Sequence, residues 1–435
     1  MRKNKYTFWL TVILIFTAII SFCLPALANT PHNNRPDLLS NQIIIIGLLL
    51  LLGFAGGKII QLLKLPSVTG YVLVGILLGV SALNIIQYHM LKDLRFIEVL
   101  GLSLVALIIG GDLRIDKLKK LGKMVVTITF IQVLGAFFFV SIITGGLLRI
   151  PWSIAIILGA ISSATAPAAT VAVIHEYKAR GPLTDTLMAI VALDDAVCVI
   201  LFSIVIAAAK LMMGSGNFSA RHFFFPAWHI TGSLLFGTII GIITIFLMKW
   251  IRDRHDLVIL IVGFAFLFGE IAEHFHMSAL LMNMMFGFVL VNFSTNPRIF
   301  NYLVDIELPI FVCFFTIAGA DLNIKILLQN WLPAIVFIIA RGIGKVSGVY
   351  IGGIIVKAPD VIKKYLGFGM LPQAGVAIAL VLAVQTEFPD IAKLITALVL
   401  AAVAVNEIIG PLGTKFALIK AGETNMSISL ESKSS

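Results

Sequence analysis

The stretch SSATAPAAT, residues 162–170, interrupts an apolar segment that runs from residue 151 to residue 176. Pro167 lacks a backbone N–H and its ring clashes with the preceding helical turn, so a helix through this stretch must bend or break there. A mostly apolar segment of this length is long enough to cross a lipid bilayer. The stretch therefore predicts a membrane-spanning helix that is broken near its middle, with small and hydroxyl-bearing residues around the break.

A second apolar segment, residues 363–385, carries a similar interruption, GFGMLPQAGVA at 367–377. A single proline kink is ordinary in membrane helices and by itself predicts nothing further. Two interruptions at corresponding places in two halves of a chain are typical of discontinuous helices whose ends point at a binding site near the middle of the membrane. We predict that the helix breaks lie at Ala166, Pro167, Pro372, Gln373 and Gly375.

The composition of the chain predicts a polytopic membrane protein. Of its 435 residues, 59% are hydrophobic and only 12% are charged, which is about half the charged fraction of soluble domains. The formal net charge of +10 comes from basic residues scattered in short loops, so it does not indicate a nucleic-acid partner. The three cysteines have no paired spacing and the histidines share no ligand spacing. We therefore predict neither a disulfide framework nor a metal site or other cofactor.

Thirteen segments after residue 40 are apolar enough and long enough to span a bilayer. They lie near residues 41–63, 67–87, 96–113, 123–147, 151–176, 183–212, 226–250, 256–273, 277–293, 300–322, 330–355, 363–385 and 391–413. We assign them to one transmembrane domain over residues 29–415, followed by a short cytoplasmic tail over residues 416–435. The loops between them are too short for a soluble nucleotide-binding or regulatory domain.

The first 28 residues differ from the rest of the chain. A basic start (MRKNK), an apolar run (FWLTVILIFTAII) and the small residues ALA at 26–28 form the pattern of a bacterial signal peptide. An uncleaved additional helix is the alternative. An exported N-terminus followed by thirteen spans places the C-terminus in the cytoplasm. Eighteen lysines and arginines then fall in cytoplasmic loops and eight fall outside, which is the asymmetry of the positive-inside rule.

Two short stretches of the chain resemble each other. IIGGDLRI (108–115) ends the third predicted span, and IAGADLNI (317–324) ends the tenth. Because the offset of seven spans is odd, the two copies have opposite orientations in the membrane, as in the inverted repeats of secondary transporters. We predict two inverted six-helix repeats, spans 1–6 and spans 8–13, with span 7 as the linker.

The stretch VALDDAVCVI, residues 191–200, places Asp194 and Asp195 near the middle of the sixth predicted span. A carboxylate at that depth needs a cationic partner, a proton or a metal cation, because an isolated charge there is costly. In FIIARGIGKVSG, Arg341 and Lys345 are four residues apart and share one face of the eleventh span. We predict a nearly neutral cluster of two acids and two bases in which at least one aspartate has an exchangeable charge. A purely structural salt bridge is the alternative.

Protons and a monovalent cation would compete for the oxygens of such an aspartate. Carboxylate, hydroxyl and carbonyl oxygens are hard ligands of the kind that suit Na⁺ or Li⁺. Thr165, Ser163 and the loosened backbone at Ala166 are candidates to complete the coordination shell. Binding of the cation would then expel the proton. This chemistry predicts ion exchange and no enzymatic activity.

Five motifs in order resemble the monovalent cation:proton antiporters, in the electrogenic Na⁺/H⁺ branch with paired aspartates. They are LPSVTGYVLVGILLG (65–79), SSATAPAAT, LDD, ARGIGKVSG and LPQAGVAIAL (371–380), and the resemblance covers residues 41–415. It implies a thirteen-span fold with a dimerisation panel and a six-helix core in which the broken helices cross. It also implies elevator-like alternating access and a homodimer.

The resemblance also implies roles for single residues. By motif position, Asp195 corresponds to the aspartate that binds the cation and the proton. Asp194 corresponds to the aspartate that pairs with a lysine, here Lys345, and Thr165 lies at the unwound crossover position. Electroneutral relatives carry Asn before the aspartate and an arginine one turn before the lysine position. This chain has the aspartate pair and also Arg341, which we expect to be a further charge partner.

The residues and the resemblance together predict a secondary active antiporter of the bacterial inner membrane. It would exchange Na⁺, or Li⁺ or K⁺, for H⁺, with two protons per cation in the electrogenic branch. Three alternatives stay open at this point. They are a K⁺/H⁺ antiporter or K⁺ efflux protein, a Na⁺-coupled organic-anion symporter of the bile-acid carrier type, and a non-transporting sensor subunit.

Overall fold

The computed structural model describes residues 42–213, 221–251, 253–275, 277–294, 299–322, 328–329 and 331–424. The predicted signal peptide (1–28) and the last part of the predicted tail (425–435) lie outside the described residues. Within the described ranges, the regular secondary structure is entirely α-helical. The predicted all-α fold class is therefore confirmed.

The helices follow one another with short connections. In order along the described residues they are α1 (Gln42–Leu62), α2 (Ser67–Leu78), α3 (Tyr88–Asp93), α4 (Arg95–Asp112), α5 (Ile115–Gly146), α6 (Trp152–Ser162), α7 (Pro167–Glu176), α8 (Pro182–Met212), α9 (Arg221–Met248), α10 (Arg254–His274), α11 (Ala279–Phe293), α12 (Ile299–Asp321), α13 (Trp331–Ile355), α14 (Asp360–Gly369), α15 (Gly375–Glu387) and α16 (Pro389–Lys420).

Eight helical segments among the described residues are long and apolar enough to cross a membrane. They are α1, α6 together with α7, α8, α13, α16, and the parts Leu121–Gly146 of α5, Ala227–Met248 of α9 and Arg254–Ala272 of α10. Shorter apolar helices lie at Ser67–Leu78, Ala279–Phe293, Leu308–Asp321 and Gly375–Gln385. The chain is thus built as a multi-pass membrane protein.

Two of the predicted spans end more than two residues away from the helix ends in the structure. The span predicted at 67–87 is helical only to Leu78, because Gly79 has an extended backbone and packs directly on the backbone of Ala320. A Cβ at Gly79 would lie 2.6 Å from Ala320 Cα, so a continued helix with side chains does not fit there. At the other end of the chain, α16 continues to Lys420, past the predicted end of the last span at 413 and past the predicted start of the tail at 416.

The chain divides into two compact units. The first comprises residues 42–98 with 308–322, and its apolar core contains buried side chains such as Leu49, Val74 and Leu94. The second comprises the other described residues, and it contains both predicted helix interruptions and all four predicted charged site residues.

In the second unit, α5 and α13 cross at unusually close range because glycines line the crossing. A Cβ at Gly344 would lie 2.7 Å from Ala136 Cα, and a Cβ at Gly348 would lie 2.6 Å from Gln132 Cα. Small residues allow two helix backbones to approach in this way in a membrane. The crossing brings Gln132 on α5 next to the segment of α13 that carries the predicted basic residues.

The close crossing predicts that replacing glycine with alanine has opposite effects on stability at two positions of α13. Gly348→Ala places a methyl group against the α5 backbone and should cost about 1–3 kcal/mol of stability through overpacking. Gly342→Ala is the matched control, because its Cβ would meet only Leu371 Cδ2 at 3.8 Å. We expect it to melt at or above the wild-type temperature because alanine favours helix. Thermal unfolding of the purified variants measures both, and equal melting temperatures would contradict the close crossing.

Candidate functional site

The first interruption separates α6 from α7. Helix α6 ends at Ser162, residues 163–166 are unwound, and α7 begins at Pro167. Ala166 has an extended backbone (φ −88°, ψ 112°), and Pro167 occupies the first turn of α7. Proline suits this position because its missing N–H would have no helical partner there. The proline therefore starts the second half-helix.

The second interruption separates α14 from α15 and contacts the first. Helix α14 ends at Gly369 and α15 begins at Gly375. Ala166 N donates to the Pro372 carbonyl at 2.9 Å, and Gln373 Nε2 donates to the Ile161 carbonyl at 3.3 Å. The two unwound segments are thus joined by hydrogen bonds where the broken helices meet. The Gln373 amide oxygen in turn accepts from Asn406 Nδ2 on α16 at 2.9 Å.

Arg341 binds the backbone of both interruptions. Its guanidinium donates to the carbonyls of Ser162 (2.9 Å), Ala164 (2.8 Å), Leu371 (2.6 Å) and Pro372 (3.2 Å). These carbonyls follow the C-terminal ends of α6 and α14, where helices leave unpaired acceptors and a partial negative charge. A buried cation at this point provides donors for the unpaired carbonyls and balances the partial negative charge of the helix ends. The arginine thus holds the two breaks together through backbone oxygens.

Lys345 lies one turn further along α13 and contacts three different groups. Its ammonium donates to the Ser163 carbonyl, to Thr165 Oγ1 at 2.8 Å and to Asp194 Oδ2 at 3.4 Å. Both members of the Lys345–Asp194 ion pair are completely buried. The pair joins α13 to α8, and the hydroxyl of Thr165 orients the lysine from the unwound segment.

Asp194 has a second partner that sequence reasoning did not identify. Gln132 on α5 is fully buried and its Nε2 donates to Asp194 Oδ1. The only sequence signal for this role is a lone amide side chain in an otherwise apolar span, which by itself indicates no partner. With Lys345 on one oxygen and Gln132 on the other, the Asp194 carboxylate is held on both sides.

The surroundings of Asp195 differ from those of Asp194. It is only 5% exposed, yet neither of its carboxylate oxygens accepts a hydrogen bond from any described residue. Lys345 and Asp194 are near enough to act on it electrostatically. On the same face of α8, one turn later, buried Cys198 lies 3.1 Å from Ser163 Oγ at the first interruption. Asp195 is therefore a carboxylate without a hydrogen-bond partner in the protein interior, where an isolated charge is costly.

Ser163, another predicted ligand, already makes hydrogen bonds within the protein through both of its oxygens. The Ser163 hydroxyl donates to the Ala160 carbonyl at 2.6 Å, and its own carbonyl accepts from Lys345. Gly375 begins α15, and a Cβ there would meet nothing within 4 Å, so open space adjoins this half-helix start. Within the described ranges, no group of three or more His, Cys, Asp and Glu side chains could hold a metal ion.

These contacts define what the site can do. The Asp194–Lys345 pair, Gln132 and Arg341 fix the scaffold, whereas the Asp195 carboxylate has two free oxygens. Such a group can hold a proton or a dehydrated monovalent cation, and either one removes the isolated charge. The site therefore supports exchange of one for the other.

Comparisons with known proteins agree with this chemistry. A family model described as "Sodium/hydrogen exchanger, transmembrane" matches residues 45–420. The Na(+)/H(+) antiporter NhaH of Halobacillus dabanensis is 25% identical over 330 residues, which cover 71% of this chain and 81% of the relative. The ammonium/H(+) antiporter subunit AmhT of Alkalihalophilus pseudofirmus is 23% identical over 292 residues, which cover 64% and 70%.

The fold has a solved counterpart. The sodium proton antiporter MjNhaP1 from Methanocaldococcus jannaschii, solved at pH 8, superposes with a TM-score of 0.68, covering 87% of this chain and 98% of its own. The sequence identity is 21%, so this likeness concerns the fold alone.

Proposed function

The chain belongs to the sodium/hydrogen exchanger family, whose members are transporters and not enzymes, and from this premise we propose that it exchanges Na⁺ for H⁺ at Asp195. One observation carries the proposal: the Asp195 carboxylate is buried and accepts no hydrogen bond from the described residues. Structural carboxylates in a membrane interior are paired, whereas an unpaired one marks an ion or proton pathway.

Asp195 alternates between a proton and Na⁺. Since both need the same oxygens, binding of the cation releases the proton, and a rise in proton concentration lowers the apparent affinity for Na⁺. The unwound backbone around Ala166 and the remaining lone pair of Thr165 Oγ1 complete the cation's ligands. Alternating access then exposes the loaded site to one side of the membrane at a time.

Asp194 and Lys345 account for a second proton. Their ion pair is fully buried at 3.4 Å, so neither charge has water to solvate it. When Na⁺ replaces the Asp195 proton, the net charge of that group is unchanged, but the cation competes with the Lys345 ammonium for the lone pairs of Thr165 Oγ1, which favours loss of one proton from the pair. Two protons then exchange for one Na⁺, and each cycle moves one net charge. This electrogenic scheme gives the aspartate pair two different tasks.

We extend the proposal to the architecture. The chain forms thirteen spans as two inverted six-helix repeats after a signal peptide (1–28), within a transmembrane domain that starts at residue 29. Both copies of the short repeated stretch lie where a helix ends, since α4 ends at Asp112 and α12 ends at Asp321. The protein is a homodimer of the bacterial inner membrane with a cytoplasmic C-terminus, and it needs no cofactor besides the transported ions.

Proteoliposomes with an internal pH dye test the function. We expect saturable proton flux on addition of Na⁺, a weaker or equal response to Li⁺, and none to choline. Because one net charge moves per cycle, a potential of 100 mV should change the driving force by about 2.3 kcal/mol and therefore change the rate. Flux with K⁺ alone would identify a K⁺/H⁺ antiporter instead. Flux that ignores an imposed potential would contradict the two-proton scheme, and no flux with any cation would contradict exchange.

A further inference from the structure

The start of α8, the helix that carries both aspartates, is capped from the far end of the chain. Its N-cap residue is Gly181, which has no side chain that could accept a hydrogen bond from the first turn. Instead the Glu423 carboxylate accepts from Leu183 N at 2.7 Å, from Thr184 N at 2.7 Å and from Thr184 Oγ1 at 2.6 Å. The two backbone donors are among those that every helix start leaves unpaired.

Glu423 is itself held on both sides. Its backbone N–H donates to the Leu418 carbonyl of α16 at 3.1 Å, and its carbonyl accepts from Arg180 N at 3.0 Å. The contact is therefore a closed arrangement of five hydrogen bonds in which α16 is tied to the beginning of α8. A carboxylate at this position also has the favourable sign for the positive end of a helix dipole.

The backbone at Gly181 is shaped for this contact. Gly181 has a φ of +157°, which L side chains rarely adopt, and a Cβ there would lie 2.6 Å from Glu423 Cγ. Only glycine thus leaves room for the carboxylate to reach the first turn of α8.

A second contact ties α16 to the end of α7. Lys415 Nζ on α16 lies 5.3 Å from the centre of the Tyr177 ring, which directly follows α7. Further up α16, a Cβ at Gly410 would lie 2.6 Å from Pro372 Cα in the second interruption. One helix therefore contacts an interruption at one point and the start of the aspartate-bearing helix at another.

We propose that Glu423 is a positioning residue that fastens α8 to α16 and thereby fixes the depth of Asp195 relative to the helix interruptions. Asp195 lies twelve residues after Leu183 in one uninterrupted helix, or roughly 18 Å at the usual rise per residue. A displacement of the first turn is therefore carried to the carboxylate. The role rests on the proposed function, and it assigns a part in transport to the chain's C-terminal end.

Hydrogen exchange of the full-length protein in nanodiscs tests the positioning directly. In Glu423→Ala we expect exchange about fivefold faster at the amides of residues 183–187, the factor that corresponds to loss of one cap. We also expect faster exchange to extend along α8 to the turn with Asp195. Glu423→Gln should lie between wild type and Glu423→Ala, because its amide keeps one acceptor oxygen. Gly181→Ala should reproduce the alanine pattern, because its methyl group displaces the carboxylate.

Asp253→Ala is the matched control. Asp253 caps the start of α10, where its Oδ1 accepts from His255 N at 2.6 Å, and α10 carries none of the site residues. Loss of either cap should speed hydrogen exchange locally. Only Glu423→Ala should raise the apparent KM for Na⁺, by about fivefold, with little change in the maximal rate.

Two results would overturn the positioning role: faster exchange confined to residues 183–187, or an apparent KM for Na⁺ equal to that of wild type in Glu423→Ala. If wild type shows no cation-dependent flux, the proposed function fails, and the extent of exchange along α8 still decides whether Glu423 positions this helix.

Discussion

Replacing Asp195 with asparagine abolishes Na⁺-dependent proton movement and leaves the protein as stable as the wild type or more stable. Asparagine has nearly the same shape but cannot give up a proton or carry the charge that binds a cation. Since the Asp195 oxygens accept no hydrogen bond from the described residues, the substitution breaks no described contact. It also removes an ionisable group from an apolar surrounding, where charge is costly. Proteoliposome flux and thermal unfolding measure the two effects.

Asp194→Asn is the informative comparison, because it changes the adjacent residue in the same way. It removes the carboxylate from a fully buried ion pair and leaves Lys345 without its ion-pair partner. Breaking a buried pair from one side costs about 3–5 kcal/mol, so this variant should melt well below wild type. Full Na⁺-dependent flux in Asp195→Asn, or a strong loss of stability in that variant alone, would contradict the separate roles of the two aspartates.

Replacing Arg341 with methionine lowers the free energy of unfolding by about 4 kcal/mol, because carbonyls of both helix interruptions lose their partner in a membrane interior. The four acceptors belong to Ser162, Ala164, Leu371 and Pro372. Three of the four hydrogen bonds are buried and the fourth is partly buried, and methionine offers no donor. We expect the crossing of the broken helices to loosen and exchange to be lost with it. Thermal unfolding in detergent and the yield of folded protein are the measurements.

Two further substitutions make this result specific. Arg341→Lys keeps the charge but loses the fork of donors, so its melting temperature should lie between those of wild type and Arg341→Met. Arg114→Met removes an exposed arginine whose local pair with Asp116, at 3.1 Å, is solvated, and it should change stability by no more than about 0.5 kcal/mol. If Arg341→Met melts like Arg114→Met, the arginine does not hold the interruptions together.

Hydropathy and proline were enough to predict the helical fold and to place its interruptions near the right residues. The predicted break at Ala166 and Pro167 lies directly where the structure starts α7, because proline constrains its own turn without help from the rest of the fold. Helix ends set by packing were less predictable. Gly79 ends α2 because another backbone lies against it, and no local pattern in the sequence signals that contact.

The site shows the same division between local and long-range causes. Lys345 and Asp194 were expected to pair because buried opposite charges need each other, and the structure places them 3.4 Å apart. Arg341 was expected to be a further charge partner. Its hydrogen bonds go to backbone carbonyls, which need a donor because two broken helices meet there, and the sequence does not predict that role. The roles of Gln132 and Glu423 are not predictable from the sequence, because each residue acts on a partner far away in the chain.

The central claim is that one carboxylate, Asp195, holds either a proton or Na⁺. The most direct measurement is proton release from purified protein in weakly buffered solution with a pH indicator when NaCl is added, with choline chloride as the control. The account predicts saturable release of protons from wild type and from Asp253→Ala, and none from Asp195→Asn. Release from Asp195→Asn equal to that of wild type would contradict it.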